Sequence, residues 1–250
     1  MRFEQMTSPE LQAVGAGARR PLAVIPCGAV EQHGPHLGVG TDHLIASAVA
    51  EAAVARAEGT LLLPAVPYGV SPHHRAFTGT LSLSAATFVS LLTEIGQNLW
   101  DDGFLPVFLN AHGGNRPALG VAVSTLGAAG AGAAAITWFE HVRDVAEATL
   151  PDAAHGTGHA GALETSVMMH LHGAAVRPDK IKPGSTPEGW PDPHLYAGPS
   201  PTIWRSFDAI SPDGVIGTPS EASAAAGATL FEAAATRVAG LLTQISKTYG

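Results

Sequence analysis

Leu22-Ala23-Val24-Ile25-Pro26-Cys27 runs without a charge into Gly28-Ala29-Val30-Glu31-Gln32-His33-Gly34-Pro35-His36. A short apolar run ending in a polar loop is the pattern of a strand buried on both faces. Leu61 to Val66, Leu105 to Leu109 and Ala133 to Trp138 repeat the pattern. Helical stretches lie between these runs. One is expected from Asp42, as its cap, to about Arg56, and one from Ser84 to about Asp102 with Gly103 as its stop. Others are expected after Asn115, after His159 to about Leu171, and from near Ser220, with Glu221 in the first turn, almost to the C-terminus. This alternation predicts a mostly parallel sheet with helices on both sides. Sites in such sheets gather at the carboxyl ends of the strands.

Two hundred and fifty residues suit one domain. The apolar fraction of 46% against 14% charged excludes a disordered chain. A net charge of −8 without any block of like charge argues against a nucleic-acid partner and an anionic membrane surface. The first twenty residues carry Glu4, Glu10, Arg19 and Arg20 and no apolar core of a signal peptide. The longest uncharged run, Pro117 to Phe139, is mostly small residues and is broken by Gly127, Gly130 and Gly132, so it is read as helix, turn and strand. The single Cys27 has no disulfide partner and fits a reducing, cytoplasmic setting.

Four loops carry chemistry. Glu31 and His33 are two apart, which in an extended segment puts a carboxylate and an imidazole on one face. Asp42 then returns at a helix start. Asn110-Ala111-His112-Gly113-Gly114-Asn115 places a histidine at a strand end, with two glycines that let backbone approach a metal, substrate or oxyanion. His159 and Glu164 flank a helix start, and Glu164 sits among apolar residues where a carboxylate is costly unless it binds something. His74, in Ser71-Pro72-His73-His74, is a candidate lining residue. Glu31, His33, Asp42, His112 and Glu164 are more donors than one metal needs. With Asp42 bridging, they suit two divalent ions roughly 3.5–4 Å apart. Zn²⁺ fits the imidazoles; Mn²⁺ or Fe²⁺ fits the carboxylates.

At these residues the chain resembles the creatininase family of metal-dependent amidohydrolases. The carrying segments are Glu31-Gln32-His33-Gly34-Pro35-His36-Leu37 with Thr41-Asp42, Phe77-Thr78-Gly79-Thr80, Asn110-Ala111-His112-Gly113-Gly114-Asn115, and His159-Ala160-Gly161 with Glu164-Thr165-Ser166. Gly214-Val215-Ile216-Gly217 is similar to the family's ending. The resemblance implies a three-layer α/β/α sandwich, a dinuclear metal centre and a homo-oligomer, often a hexamer. It implies Glu31, His33, Asp42 and His112 as ligands, Glu164 as ligand or base, and His159 as the proton shuttle to a leaving nitrogen. Creatininase proper has a glutamate where this chain has Gly114, and a tryptophan where it has His155. Trp138 matches its other pocket tryptophan. The glycine form is shared with other branches, among them a mycofactocin-system peptidase that trims a C-terminal dipeptide, formamidopyrimidine deformylases and an inosose-ring hydrolase.

The chain is therefore expected to hydrolyse a C–N bond of a small substrate with a metal-activated hydroxide. His74, Gly113, Gly114, Trp138 and His155 are the expected substrate contacts. The alternatives are creatinine itself, a peptide, a ring ketone, or metal binding without catalysis. His159 is expected to titrate near working pH and so to serve as the acid. The Pro- and Gly-rich segment from Lys182 to Pro219, with Trp190, Tyr196, Trp204 and Phe207, is expected to form an ordered arm or lid.

Overall fold

The computed structural model describes residues 1–184 and 204–249. In chain order these form α1 (Ser8–Gly15), β1 (Leu22–Cys27), α2 (Thr41–Val54), β2 (Thr60–Leu62), α3 (Ala85–Asp101), β3 (Leu105–Asn110), α4 (Arg116–Ala128), β4 (Ala134–Thr137), α5 (Arg143–Thr149), α6 (Ala153–Gly156), α7 (Ala162–Leu171) and α8 (Ala224–Tyr249). The four strands make one sheet in the order β2-β1-β3-β4, parallel throughout. The register pairs Leu22 with Leu105 and Cys27 with Asn110, so β1 and β3 end level with each other.

Side-chain alternation along the strands divides the core in two. Leu22, Val24, Val107 and Leu109 face α2, α7 and α8, with Ile45, Val49, Val167 and Leu230 behind them. Ala23, Ile25, Cys27 and Phe108 face α3 and α4, packing on Phe88, Leu92, Leu119 and Leu126. The result is the expected three-layer α/β/α sandwich. Truncating a fully buried ring such as Phe108 to alanine would cost about 3–5 kcal/mol.

The expected boundaries hold at β1 and α3. The Ser84 hydroxyl accepts from Thr87 N–H at the start of α3, and Gly103, at φ +93°, follows its end. Three boundaries differ. Strand β2 stops at Leu62 because Pro64 cannot continue the ladder, although Val66 still bridges to Cys27. Helix α8 begins at Ala224 and not near Ser220: Pro219–Glu221 is a single 3₁₀ turn, and the Ser223 hydroxyl accepts from Ala226 N–H. Asp42 lies inside the first turn of α2, after Gly40, and caps nothing. Helix α1 was not anticipated. Thr7 and Glu10 bracket its start as a reciprocal cap, with Pro9 in the first turn.

Of the expected arm, Trp190 and Tyr196 lie outside the described residues. Trp204 is exposed, whereas Phe207 is buried. Among the described residues no helix is long and apolar enough to cross a membrane.

Candidate metal centre

Strand order fixes where the site forms. The chain leaves β1 toward β2 on one side and leaves β3 toward β4 on the other, so a crevice opens beyond the carboxyl ends of β1 and β3. The loop after β1 is held extended. Val30 pairs with Leu81, Glu31 N–H donates to Val39 O at 2.9 Å, and Gln32 N–H donates to the Thr80 hydroxyl at 3.1 Å. Glu31 and His33 accordingly point the same way. The first turn of α2 brings Asp42 back opposite them.

The loop after β3 is tied by its two asparagines. Asn110 accepts from His112 N–H at 3.1 Å and donates to His112 O at 2.8 Å. Asn115 donates to Gly28 O at 3.0 Å and accepts from Val70 N–H at 2.8 Å. These buried bonds lock the β1, β2 and β3 loops together around His112. Gly114 has no room for a side chain: a Cβ there would lie 2.2 Å from Val70 O and 2.4 Å from His112 Nε2.

Helix α7 runs to Leu171, as expected, and His159 stands before it. There His159 forms a two-bond bridge with Ile216, which anchors the Gly214–Gly217 segment to the site. Ala160 then takes φ +52°, a conformation costly for a residue with a side chain. It lets Ala160 N–H donate to Glu164 Oε2 at 2.6 Å, which fixes that carboxylate one turn into α7. Thr165 and Ser166 tie the helix outward: Thr165 meets His36 Nε2 at 3.0 Å, and the Ser166 hydroxyl accepts from Ser223 N–H.

These segments converge on Asp42. Its Oδ1 lies 3.2 Å from His33 Nε2, and its Oδ2 lies 3.2 Å from His112 Nδ1. Glu31 Oε1 lies 3.3 Å from His112 Nδ1, 3.3 Å from His74 Nε2 and 3.8 Å from His159 Nδ1. Glu164 Oε2 lies 3.8 Å from His33 Nε2. Three overlapping groups place their ligand atoms within 4.8 Å of one another: Glu31, Asp42 and His112; His33, Asp42 and Glu164; and Glu31, His33 and His159.

Burial makes this cluster expensive. Both Glu31 oxygens, His33 Nε2 and Asp42 Oδ2 are buried and lack an aligned hydrogen-bond partner. Buried carboxylates in that condition call for a cation. The donor set, imidazole nitrogen with carboxylate oxygen, suits Zn²⁺, Mn²⁺ or Fe²⁺.

The protein's own groups already strain toward that state. Burial opposes charge on Glu31, yet His112, His74 and His159 hold its carboxyl well below the usual range. Asp42 is also lowered: burial opposes its charge, but His33 and His112 prevail. Burial opposes the protonated form of His33, but Asp42 and Glu164 push it up to about 10; Glu31 and Asp42 likewise raise His112. Glu164 is raised to about 7, chiefly by burial. His159 is lowered to about 3 by burial and by the facing His33. Among the protein's groups alone, therefore, Glu164 titrates near neutral pH and His159 does not, the reverse of the expected match.

The structure thus brings Glu31, His33, Asp42, His112, His159 and Glu164 into one cluster, with His74 beside Glu31 and Gly113 and Gly114 at its edge. Trp138 lies apart from solvent, 1% exposed, in the core on the α2 side of the sheet. The side chain of His155 lies outside the described residues. Several residues at the site were not singled out from the sequence. The Ser71 hydroxyl lies 3.2 Å from His112 Nε2. Partly exposed His73 stacks parallel to His112, with ring centroids 5.9 Å apart. Phe207 covers His74 and His159, with centroids 3.9 Å and 4.9 Å away. Gln32 joins His74, His159 and Gly214. The signals pointing to them were the His-His doublet at 73–74, the Glu31-Gln32-His33 motif and the aromatics of the Pro-rich segment.

The family model described as creatininase, creatinine amidohydrolase, matches residues 4–242. A mycofactocin precursor peptide peptidase of Mycobacterium tuberculosis is 39% identical over 223 residues, covering 85% of this chain and 81% of that protein. A creatinine amidohydrolase of Pseudomonas putida is 29% identical over 177 residues, covering 64% of this chain and 68% of that protein. Among solved structures, a manganese creatininase superposes with a TM-score of 0.81 at 24% identity, covering 99% of this chain and 98% of the other.

Proposed function

This chain belongs to the creatininase family of hydrolases acting on carbon–nitrogen bonds, and on that premise we propose that it is a two-metal peptidase that cleaves an amide bond of a short precursor peptide. The observation that carries the two-metal proposal is Asp42, whose two oxygens each face a different imidazole. Glu31, Asp42 and His112 would hold one divalent ion, and His33, Asp42 and Glu164 the other, as zinc or manganese. Glu164 then takes the place of the glutamate that the backbone around Gly114 excludes.

Bound ions supply Lewis acidity toward water and toward the substrate carbonyl. The chain's own residues supply proton movement and position. Glu164, one oxygen of which is held by Ala160 N–H, is placed to accept a proton from the attacking water and pass it on. His159 keeps its Nε2 on Gln32 O and turns Nδ1 toward Glu31, in place to relay that proton to the departing nitrogen. Phe207 closes the site from the arm and limits the entry of bulk water.

A peptide is favoured over creatinine by two features. The identity to the peptidase is higher and covers more of the chain. Trp138 is sealed in the core, and His155 stands where creatininase carries its other tryptophan, so neither of those two positions offers an indole to clasp a flat ring. The homo-oligomer rests on the family resemblance, and the lone buried Cys27 supports a cytoplasmic setting. Protein reconstituted with Zn²⁺ or Mn²⁺ should be offered creatinine, small amides and a set of short peptides, with products read by mass spectrometry. Cleavage of peptides with little turnover of creatinine is expected; the opposite preference would overturn the peptidase assignment.

A further inference from the structure

Four imidazoles surround the carboxylates, and their outward nitrogens differ in what they meet. His33 Nδ1 meets Glu31 O at 3.2 Å, His112 Nε2 meets Val70 O at 3.1 Å, and His159 Nε2 meets Gln32 O at 2.8 Å. A backbone carbonyl only accepts, so each of these outward nitrogens carries the proton. In its neutral form each ring therefore turns a lone pair inward, as a metal ligand or proton acceptor must.

His74 is the exception. Its outward Nδ1 meets Gln32 Nε2 at 2.8 Å. The orientation of that carboxamide is fixed by backbone on both sides: Oε1 accepts from Gly34 N–H at 2.9 Å, and Nε2 donates to Gly214 O at 3.0 Å. The second amide proton is left for His74 Nδ1, which must accept it. None remains for His159 Nε2 at 3.1 Å, in keeping with its bond to the Gln32 carbonyl. The His74 proton then sits on Nε2, which points inward and is fully buried; Glu31 Oε1 lies 3.3 Å away but out of line for a hydrogen bond. A buried donor left unpaired requires an explanation.

We infer that Gln32 is a positioning residue: its carboxamide holds His74 as the Nε2–H tautomer, which bars that imidazole from the ligand set and leaves its N–H as a donor for a substrate oxygen. Only the substrate oxygen rests on the proposed hydrolase function; the tautomer follows from the hydrogen bonds. Removing a preorganised donor of this kind lowers kcat by about 100-fold. Because Gln32 acts through its side chain on His74 and through its main chain on His159, substitution separates the two.

The test is nitrogen-15 histidine NMR of the zinc-loaded protein, with His74 assigned from its absence in His74→Gln. In the wild type, His74 should keep a protonated Nε2 and a bare Nδ1 with zinc bound, while His33 and His112 show coordinated nitrogens. In Gln32→Glu the side chain offers no N–H, and the proton should move to Nδ1. In Gln32→Met it should distribute over both nitrogens. His159 should be unchanged in Gln32→Met, which a general disruption of the site would not allow. Peptide turnover should fall about 100-fold in kcat with KM little altered. The wild-type spectrum decides even where a variant does not fold: a proton on Nδ1, or zinc on His74 Nε2, overturns the inference. Unchanged His74 signals in both variants would also overturn it. If His74 has the expected tautomer and no amide or peptide is cleaved, the role of Gln32 stands and the proposed activity falls.

Discussion

Asp42 presents Oδ2 to His112 Nδ1 at 3.2 Å and turns its other oxygen away to the opposite half of the site. A carboxylate at the start of a helix would ordinarily be spent on capping, but α2 starts one residue earlier and frees it. Asp42→Asn keeps the shape and removes the charge that both halves share. Metal content by plasma mass spectrometry should fall from about two ions per chain to one or none, and turnover by 10³-fold or more, in the range set by loss of a catalytic metal. Two retained ions in Asp42→Asn would show that Asp42 does not bridge.

Ligand imidazoles must lose their protons to bind metal. His33 sits at about 10, so chelator-stripped protein at pH 8 should hold an extra proton there, and His112 is raised in the same direction. Zinc binding at that pH should release about one proton per chain from His33, with any charge on His112 adding to it, measured by titration calorimetry in buffers of different ionisation enthalpy. Near pH 6 the Glu164 carboxyl, at about 7, should add another. Release of fewer than one proton at pH 8 would mean that the imidazoles are neutral before the ion arrives.

The same raised value has a stability consequence of fixed sign. The folded-state value of His33 lies above its ordinary 6.5, so its pairing with Asp42 stabilises the stripped protein fully below pH 6.5. That contribution disappears as pH rises from 6.5 through about 10. Melting temperature of stripped protein should therefore decline across this window, while zinc-loaded protein, whose imidazoles carry no proton to lose, should hold level. Parallel profiles for the two forms would exclude His33 as the cause.

Much of this was legible in the sequence. The sheet was readable because its strands are buried on both faces and carry no charge, and the five donors because metal-ligand types stand at strand ends. Asp42 as a cap and β2 as a long strand were misread for local reasons, since caps and Pro64 act on backbone that spacing alone does not fix. The residues that orient the ligands were not legible. Gln32 is 182 residues from Gly214 and 127 from His159, and a neutral amide carries no chemical signature of its own. Phe207 stood out only as one aromatic in a Pro-rich stretch. The pKa order of Glu164 and His159 depends on burial and on His33, neither visible before folding.

Gly114 stands where creatininase has a glutamate, and the structure shows why a simple reversion fails. Even one carbon there would lie 2.2 Å from Val70 O, which is backbone, and 2.9 Å from the His73 ring. Gly114→Ala should cost about 1–3 kcal/mol, the range for overpacking a closed site, and should push His112 off its carbonyl partner. Gly114→Glu should be less stable still and should bind zinc more weakly, because the added carboxylate arrives with a displaced His112. Thermal melts and zinc content read both effects. Wild-type stability in Gly114→Ala would mean that the loop yields easily. Metal binding in Gly114→Glu stronger than in the wild type would mean that the glycine is a lost ligand position and not a packing requirement, and Glu164 would then give up its place beside His33.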